Sequence, residues 1–154
     1  MHLSLYLNFR IFFHISLRYH YHITNTSSKI TLTNNTFKNN DLKGNFLRVQ
    51  KDSWGNNGSN GGNVELIMNN QKSEGNIVVD SISTLDITLD NNSYYEGTID
   101  AENSSKSIKI KLSKNSIIKL TGNSYITSLD DEDTSYGNID FNGYKLYVNG
   151  KEIK

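Results

Sequence analysis

The sequence predicts an all-β domain of the solenoid type, a parallel β-helix. First, the composition disfavours helix: the 154 residues include 22 Asn and nine Tyr but no Pro and no Cys. Second, apolar and polar residues alternate in several short strings, as they do in half-buried strands. Third, similar strings return at an almost constant interval, which is typical of repeat proteins.

The repeated strings are ITLTNNTF, LIMNNQ, ITLDNNSY and IKLSKNSI. Their alignment places four asparagines in one column: Asn35, Asn70, Asn92 and Asn115. Three glycines form a second column: Gly44, Gly75 and Gly97. The later intervals are 22 and 23 residues, which predicts about four coils, each made of short strands joined at Asn or Gly turns. An Asn amide at a corner can bond the Asn of the next coil, so we expect an amide ladder.

The alternation also predicts which residues point into the core. These are Ile30, Leu32, Val64, Leu66, Ile77, Val79, Leu85, Ile87, Leu89, Ile99, Ile108, Ile110 and Leu112. The string NVELIMNN would place Met68 inward as well, one residue out of step with the Asn column, and a β-bulge is expected there. Stacking of LDITLD on IKIKLS pairs Asp86 with Lys109 and Thr88 with Lys111 on the outer surface.

Residues 1–23 differ from the β-helix coils expected over residues 24–154. Every odd position from Leu3 to Ile23 is apolar or aromatic, a strand pattern too long for one strand. It has no secretion signal, and Arg10 and His14 argue against membrane insertion. We interpret it as a segment that is not native to the domain, and we expect it to be loosely packed or to cover the first coil.

Charge and residue type exclude several classes of function. The formal net charge is zero, so nothing favours nucleic acid as a partner. The absence of cysteine excludes a thiolate metal site and a cysteine nucleophile. All four histidines lie in the N-terminal segment, and no acidic residue precedes Asp41 to complete a metal site with them.

Aromatic residues supply the first candidates for ligand binding. Trp54, the only tryptophan, lies in the glycine-rich insertion KDSWGNNGSNGG and could stack on a sugar ring or fold back as a lid. Tyr94 and Tyr95 precede Glu96 at a turn, and strand geometry requires one of the two rings to face outward. An exposed tyrosine beside carboxylates is compatible with carbohydrate binding.

Basic residues supply the second group of candidates. Lys109 and Lys111 either pair with the preceding strand or form a basic strip for an anionic polysaccharide. Arg48 is the only arginine in the repeat region and is the one candidate base for a polysaccharide lyase. One arginine does not make a catalytic constellation, so we do not expect an enzyme.

Acidic residues allow a calcium site. Seven acids and no Lys or Arg lie between Glu74 and Glu102, and hard oxygen ligands suit calcium. Asp80 and Glu102 occupy equivalent turn positions, and Asp100 lies close to Glu102. These three residues are the predicted metal ligands, although no EF-hand-type loop is present. The acidic string LDDEDTS at 129–135 is interpreted as a solvated loop.

The C-terminal strings IIKLTGNSYITSLDDED and GNIDFNGYKLYVNGKEI resemble the closing coils of carbohydrate-binding, cell-surface β-helix proteins of anaerobic Gram-positive bacteria. The resemblance extends over roughly residues 26–154. It implies a right-handed parallel β-helix with pectate-lyase-like architecture, bound calcium, and an extracellular or cell-surface location. It also implies binding of a plant cell-wall polysaccharide, cellulose or polygalacturonate, without cleavage. By this comparison the chain is a C-terminal fragment that lacks the first coils.

Two alternatives to polysaccharide binding remain open from the sequence. One is the remnant of a pectate-lyase-like enzyme. The other is a structural adhesin stalk in which the solenoid acts only as a spacer.

Overall fold

Strands account for all the regular secondary structure that the computed structural model describes, over residues 2–7, 19–39 and 44–154; these ranges contain no helix. In chain order the strands are β1 (His2–Leu7), β2 (Tyr19–Ile23), β3 (Thr26–Thr33), β4 (Thr36–Phe37), β5 (Asn45–Val49), β6 (Gly62–Asn69), β7 (Lys72–Glu74), β8 (Asn76–Val79), β9 (Thr84–Asp90), β10 (Tyr94–Gly97), β11 (Ser107–Leu112), β12 (Ile117–Leu120), β13 (Ser124–Ile126), β14 (Ser128–Asp131), β15 (Ile139–Asp140), β16 (Leu146–Val148) and β17 (Lys151–Ile153).

The strands form four sheets. Sheet 1 has the order β1-β3-β6-β9-β11-β14, sheet 2 the order β15-β12-β10-β7-β4, sheet 3 the order β2-β5-β8, and sheet 4 the order β13-β16-β17. From β3 to β8 the chain visits sheets 1, 2 and 3 in turn and then visits them again. All pairings are parallel except β16 with β17. The all-β prediction is confirmed, and the parallel stacking is compatible with a β-helix or solenoid.

The predicted core and the predicted register of β9 with β11 are both confirmed. Every predicted core residue is buried, with at most 4% of its surface exposed. Strands β9 and β11 align Leu85 with Ile108 and Asp86 with Lys109. The inward positions of adjacent strands therefore stack on one another, and burial of this continuous apolar column is the main force that holds the coils together.

The predicted Asn column is wrong by one residue at its start. Asn34, not Asn35, lies beside Asn70, and the Asn70 side-chain amide donates to Asn34 Oδ1 at 2.7 Å. Strand β6 pairs in continuous register on both sides, so it contains no bulge. The mismatch arises because the Asn pair of LIMNNQ begins at Asn69, the last residue of β6, whereas the Asn pair of ITLTNNTF begins at Asn34, after β3 has ended. An amide ladder is present, and it continues when Asn91 donates to Asn69.

Buried serines at the corners satisfy backbone groups between coils. Each of four serine hydroxyls accepts a hydrogen bond from a backbone N–H of the preceding coil: Ser83 from Gly62, Ser93 from Gln71, Ser116 from Ser93 and Ser124 from Ile99, at 3.0–3.1 Å. All four serines are at most 1% exposed. These hydroxyls pair amides that the bends would otherwise leave buried without a partner.

Part of the N-terminal segment extends the stack. Strand β1 pairs with β3 in sheet 1, and its register places Leu5 beside Ile30. Strand β2 pairs with β5 in sheet 3, and Tyr21 packs edge-on against Phe37 and Phe46 at 6.1 and 5.9 Å. Burial raises the pKa of Tyr21 to about 12. Arg10 and His14 lie outside the described residues, and whether residues 1–23 are native to the domain stays a prediction.

Candidate functional site

The predicted ligand-binding residues are distributed over three sheets rather than gathered at one place. Lys109 and Lys111 lie on β11 in sheet 1, Tyr94 on β10 in sheet 2, and Arg48 on β5 in sheet 3. Trp54 lies on the loop that connects sheet 3 to sheet 1. Each surface is therefore considered separately.

The outer face of sheet 2 carries a network centred on Tyr94. The Tyr94 hydroxyl donates to Glu96 Oε2 at 2.7 Å, and Lys119 Nζ lies 3.1 Å from Glu96 Oε1. The Nζ atom of Lys72 lies 5.0 Å from the centroid of the Tyr94 ring, a cation–π contact. In the next strand of the sheet, β12, exposed Ile117 is the register neighbour of Tyr94. The outer face of sheet 2 therefore combines apolar surface with charged groups.

The network shifts the pKa values of both central groups. Burial, and then the bond to Glu96, raise the pKa of the Tyr94 hydroxyl above its ordinary value. The hydrogen bond from Tyr94, together with Lys119, lowers the pKa of the Glu96 carboxyl. Tyr94 therefore remains a donor and Glu96 an acceptor across neutral pH, which fixes the polarity of the site.

The glycine column forms the floor of a groove beside this network. We call it the glycine groove: its floor is Gly75 and Gly97, and it is also lined by Asn39, Glu74, Asn76, Glu96 and Thr121. A Cβ atom at Gly97 would collide with the Gly75 carbonyl and the Tyr95 hydroxyl, so this position requires glycine. Because the glycines stack from coil to coil, the groove runs across the strands, along the stacking direction.

Tyr95 supports this floor from inside. It is 2% exposed, and its hydroxyl donates to the carbonyls of Gly75 at 2.8 Å and Thr98 at 3.1 Å. Strand alternation turns Tyr94 outward and Tyr95 inward, as expected for one of the two rings. The prediction that Tyr95 also contacts ligand is therefore corrected: in this structure Tyr95 is a core residue.

A second depression borders sheet 2 at its other corner, towards sheet 1. Its lining includes the amides of Asn34, Asn70 and Asn92, with Lys72 and Tyr94 at its edge. Amide side chains offer both donors and acceptors to hydroxyl groups. Tyr94, on the outer face of sheet 2, thus lies between two concave, polar surfaces.

The outer face of sheet 1 is organised differently. Lys109 has Asp86 beside it in register, and Lys111 has Asp130. Farther along this face, Lys29 forms an ion pair with Glu65 at 3.0 Å. Lys109 and Lys111 are exposed as expected, but acids alternate with them, so the surface is not a strip of uniform positive charge.

Trp54 and Arg48 are held by local contacts. Trp54 is 54% exposed, and the buried Asn60 amide fixes its loop by donating to the carbonyls of Asp52 and Trp54 at 2.8 and 2.9 Å. The Arg48 guanidinium donates twice to Gln50 Oε1, at 3.0 and 2.8 Å. Neither side chain is on the same sheet as Tyr94.

Two of the three residues predicted to bind calcium, Asp80 and Asp100, accept hydrogen bonds from nearby groups of the chain. Asp100 is 2% exposed, and its carboxylate accepts the backbone N–H groups of Ser104 and Ser105. Asp80 accepts hydrogen bonds from Lys51 and Ser83, whereas Glu102 is exposed. No cluster of three His, Cys, Asp or Glu suited to a metal occurs within residues 2–7, 19–39 and 44–154.

The acidic string 129–135 is more structured than a solvated loop. Asp131 accepts the Asn138 side-chain amide at 2.9 Å, and Asp133 accepts the N–H groups of Ser135 and Gly137. These bonds shape the bend between β14 and β15. Separately, none of the described segments forms a helix with the length and apolarity to cross a membrane.

The residues that the sequence predicts for a site do not include Glu74, Glu96, Lys72 and Lys119. A signal was present, because Glu-Gly occurs in both SEGNIV and YEGTID at equivalent repeat positions. The aligned glycines indicate that the backbones of adjacent strands approach closely there. The aligned glutamates form one wall of the groove beside these glycines. The sequence matches no protein-family model, no curated protein and no solved structure.

Proposed function

We propose that this protein is a right-handed parallel β-helix that binds a plant cell-wall polysaccharide, without cleaving it, on the outer face of sheet 2. Right-handed connections between parallel strands prevail by a wide margin in known proteins, which supports the proposed handedness. The resemblance of residues 26–154 to cell-surface β-helix proteins supports an extracellular or cell-surface location.

The observation that carries the proposal is the position of Tyr94. Its ring lies on a rigid strand, next to exposed Ile117, between the glycine groove and the amide-lined depression. Sugar rings present C–H faces to apolar side chains and hydroxyls to amides and carboxylates. The outer face of sheet 2 offers apolar side chains together with amides and carboxylates, beside two concave surfaces. Such a face suits a carbohydrate chain better than a compact, wholly apolar ligand.

The lyase alternative has less support in the described residues. Its candidate base, Arg48, lies on sheet 3 and donates both of its described hydrogen bonds to Gln50. The stalk alternative predicts no ligand at all. Calcium bound by Asp80, Asp100 and Glu102 stays a prediction, and the proposed binding step is derived without it because Asp80 and Asp100 accept hydrogen bonds from nearby amides and a hydroxyl.

Retention on insoluble cellulose and on immobilised polygalacturonate, each with and without chelator, tests the proposal. We expect the wild-type protein to be retained on at least one polymer and to release no unsaturated product. Tyr94→Ala should weaken retention by about tenfold, because the aromatic contact is lost. The matched control is the double variant Lys109→Ser, Lys111→Ser on sheet 1, which should bind like wild type.

Three results would count against the proposal. Retention on neither polymer would favour the stalk, and unsaturated product would favour the lyase. Loss of binding in the lysine variant with full binding by Tyr94→Ala would place the site on sheet 1. Thermal unfolding of each variant establishes that the fold is intact.

A further inference from the structure

The bend between β14 and β15 leads from sheet 1 to sheet 2 near the C-terminal end of the stack, and one hydrogen bond closes it. The Asn138 side-chain amide donates to Asp131 Oδ1 at 2.9 Å. The same oxygen accepts the backbone N–H of Asp133 at 2.9 Å, and the backbone carbonyl of Asn138 accepts the N–H of Ile118 at 3.1 Å. Asp131 and Asn138 are therefore held side by side at this corner.

The second oxygen of the Asp131 carboxylate and the amide oxygen of Asn138 have no partner. Asp131 Oδ2 and Asn138 Oδ1 are both buried, and neither accepts a hydrogen bond from any residue that the structure describes. Asn138 is only 7% exposed. Its amide cannot be turned over, because Nδ2 also donates to the Ser113 carbonyl at 3.4 Å and the turned oxygen would face two acceptors. Two acceptors on either side of one hydrogen bond thus remain unsatisfied.

Asp131 differs in this respect from Asp100, whose carboxylate is also held by local hydrogen bonds. Both oxygens of Asp100 are used, because Oδ1 accepts the N–H of Ser104 at 3.0 Å and Oδ2 accepts the N–H of Ser105 at 2.9 Å. Among the acids that the structure describes, only Asp131 has a buried oxygen without a partner. A buried carboxylate oxygen is costly unless a donor or a cation compensates it.

We propose that Asp131 and Asn138 hold a calcium ion, with Asp131 Oδ2 and Asn138 Oδ1 as its two side-chain ligands. Carboxylate and amide oxygens are the hard ligands that this ion prefers. The acids Asp130, Glu132 and Asp133 adjoin Asp131 in the chain, so the local potential favours a cation over a neutral water molecule. The inference is independent of the proposed sugar-binding function.

The proposed ion has a structural role, because it joins the end of sheet 1 to the end of sheet 2. The bend at residues 132–137 is mostly exposed, so the ion reaches the two oxygens from solvent. The site combines one acid with one amide and does not require a cluster of three acids. Calcium takes roughly six to eight oxygen ligands, and backbone carbonyls and water complete the set. With two side-chain ligands we expect a Kd on the order of 10⁻⁴–10⁻³ M, as in extracellular modules.

The test is thermal unfolding of the chelator-treated full chain at rising calcium concentrations, with magnesium as the comparison ion. Calcium at about 10 mM should raise the Tm of wild type by about 3–10 °C. Magnesium should raise it less, because this ion demands near-ideal octahedral geometry and gives up its water reluctantly. Asp131→Asn should lose the calcium shift. The matched control Asp130→Asn makes the same charge change at the neighbouring exposed residue and should keep the shift.

Asn138→Asp provides a gain-of-binding test. A second carboxylate beside Asp131 is repelled when no ion is bound, so this variant should unfold at a lower temperature than wild type in chelator. Calcium should reverse that loss, because affinity rises with the number of charged ligands. We expect roughly tenfold tighter calcium binding by isothermal titration calorimetry.

The contradicting outcomes concern calcium alone, so they leave the sugar-binding proposal untouched. If calcium does not raise the Tm of wild type, a water molecule fills the corner and the inference is overturned. A shift retained by Asp131→Asn, or lost equally in Asp130→Asn, would overturn it too, as would equal shifts with calcium and magnesium. If Asp131→Asn does not fold, Asn138→Asp decides: tighter calcium binding supports the site, and unchanged or weaker binding contradicts it.

Discussion

The outer faces of sheet 1 and sheet 2 are built from the same repeats but present different surfaces. On sheet 1, long strands such as β6 and β9 set charged and hydroxyl side chains opposite one another in register. On sheet 2, the shorter strands β7 and β10 end at Glu74 and Gly97, and a groove lined by Gly75 and Gly97 lies beside Tyr94. The difference lies at the strand ends, which border a concave surface on sheet 2.

The largest expected effect comes from adding a methyl group at the buried Gly97. Gly97→Ala places a methyl group against the Gly75 carbonyl and the Tyr95 hydroxyl, and we expect a loss of about 1–3 kcal/mol in the free energy of unfolding. Gly137→Ala is the control, because its added methyl would meet only the ends of the Asp133 and Ser135 side chains. Urea unfolding measures both variants. Equal, small losses would show that the corner is not tightly packed.

A smaller effect is expected from the charge at the centre of sheet 2. The pKa of Glu96 is lowered in the folded protein, so its ionised form stabilises the fold above the ordinary glutamate pKa of about 4.3. That contribution is lost as the pH falls through the lowered pKa. Glu96→Gln should therefore be less stable than wild type at neutral pH, by less than about 1 kcal/mol, and the difference should shrink in acid.

Thermal unfolding of wild type and Glu96→Gln between neutral pH and about pH 3 measures this dependence. A difference that stays constant over the whole range would mean that the carboxylate does not titrate with a lowered pKa in the folded state.

The smallest effect is expected on sheet 1. Replacing Lys109 and Lys111 with serine removes exposed register pairs with Asp86 and Asp130, each worth only about 0.2–1 kcal/mol. The loss should decrease at high salt, where exposed charges are screened. A loss that is independent of salt would show that these lysines stabilise the fold by packing rather than by charge.

Most of the architecture could be predicted from the sequence because the repeat constrains it. The alternation in LDITLD and IKIKLS determines which side chains are buried, and the spacing of 23 residues determines which strands meet. The predicted register is wrong at Asn70, because the Asn pair of LIMNNQ begins one residue earlier, relative to the end of its strand, than the Asn pair of ITLTNNTF. In addition, two adjacent asparagines align equally well in two registers that differ by one residue. The inward serines were missed too, since a small polar residue after a turn gives no distinct hydrophobic signal.

The candidate site could be predicted only in part. Tyr94 was found because strand alternation exposes one of two adjacent tyrosines. The groove was not found, because it depends on three-dimensional alignment of Gly75 and Gly97 and on the ion pair between Glu96 and Lys119. Trp54 and Arg48 are candidates because their residue types are rare in this chain. Rarity does not indicate where a side chain lies in the folded structure. Calcium ligands were inferred from acidic content, yet Asp100 bonds to its own turn.

The most direct test of the central claim is an NMR titration of the isotopically labelled protein with a soluble neutral oligosaccharide of glucose. If the ligand binds on sheet 2, the backbone amide signals of Gly75, Asn76 and Gly97 shift progressively, whereas those of Lys109 and Lys111 on sheet 1 do not. Shifts confined to sheet 1, or no shifts at saturating ligand, would contradict it.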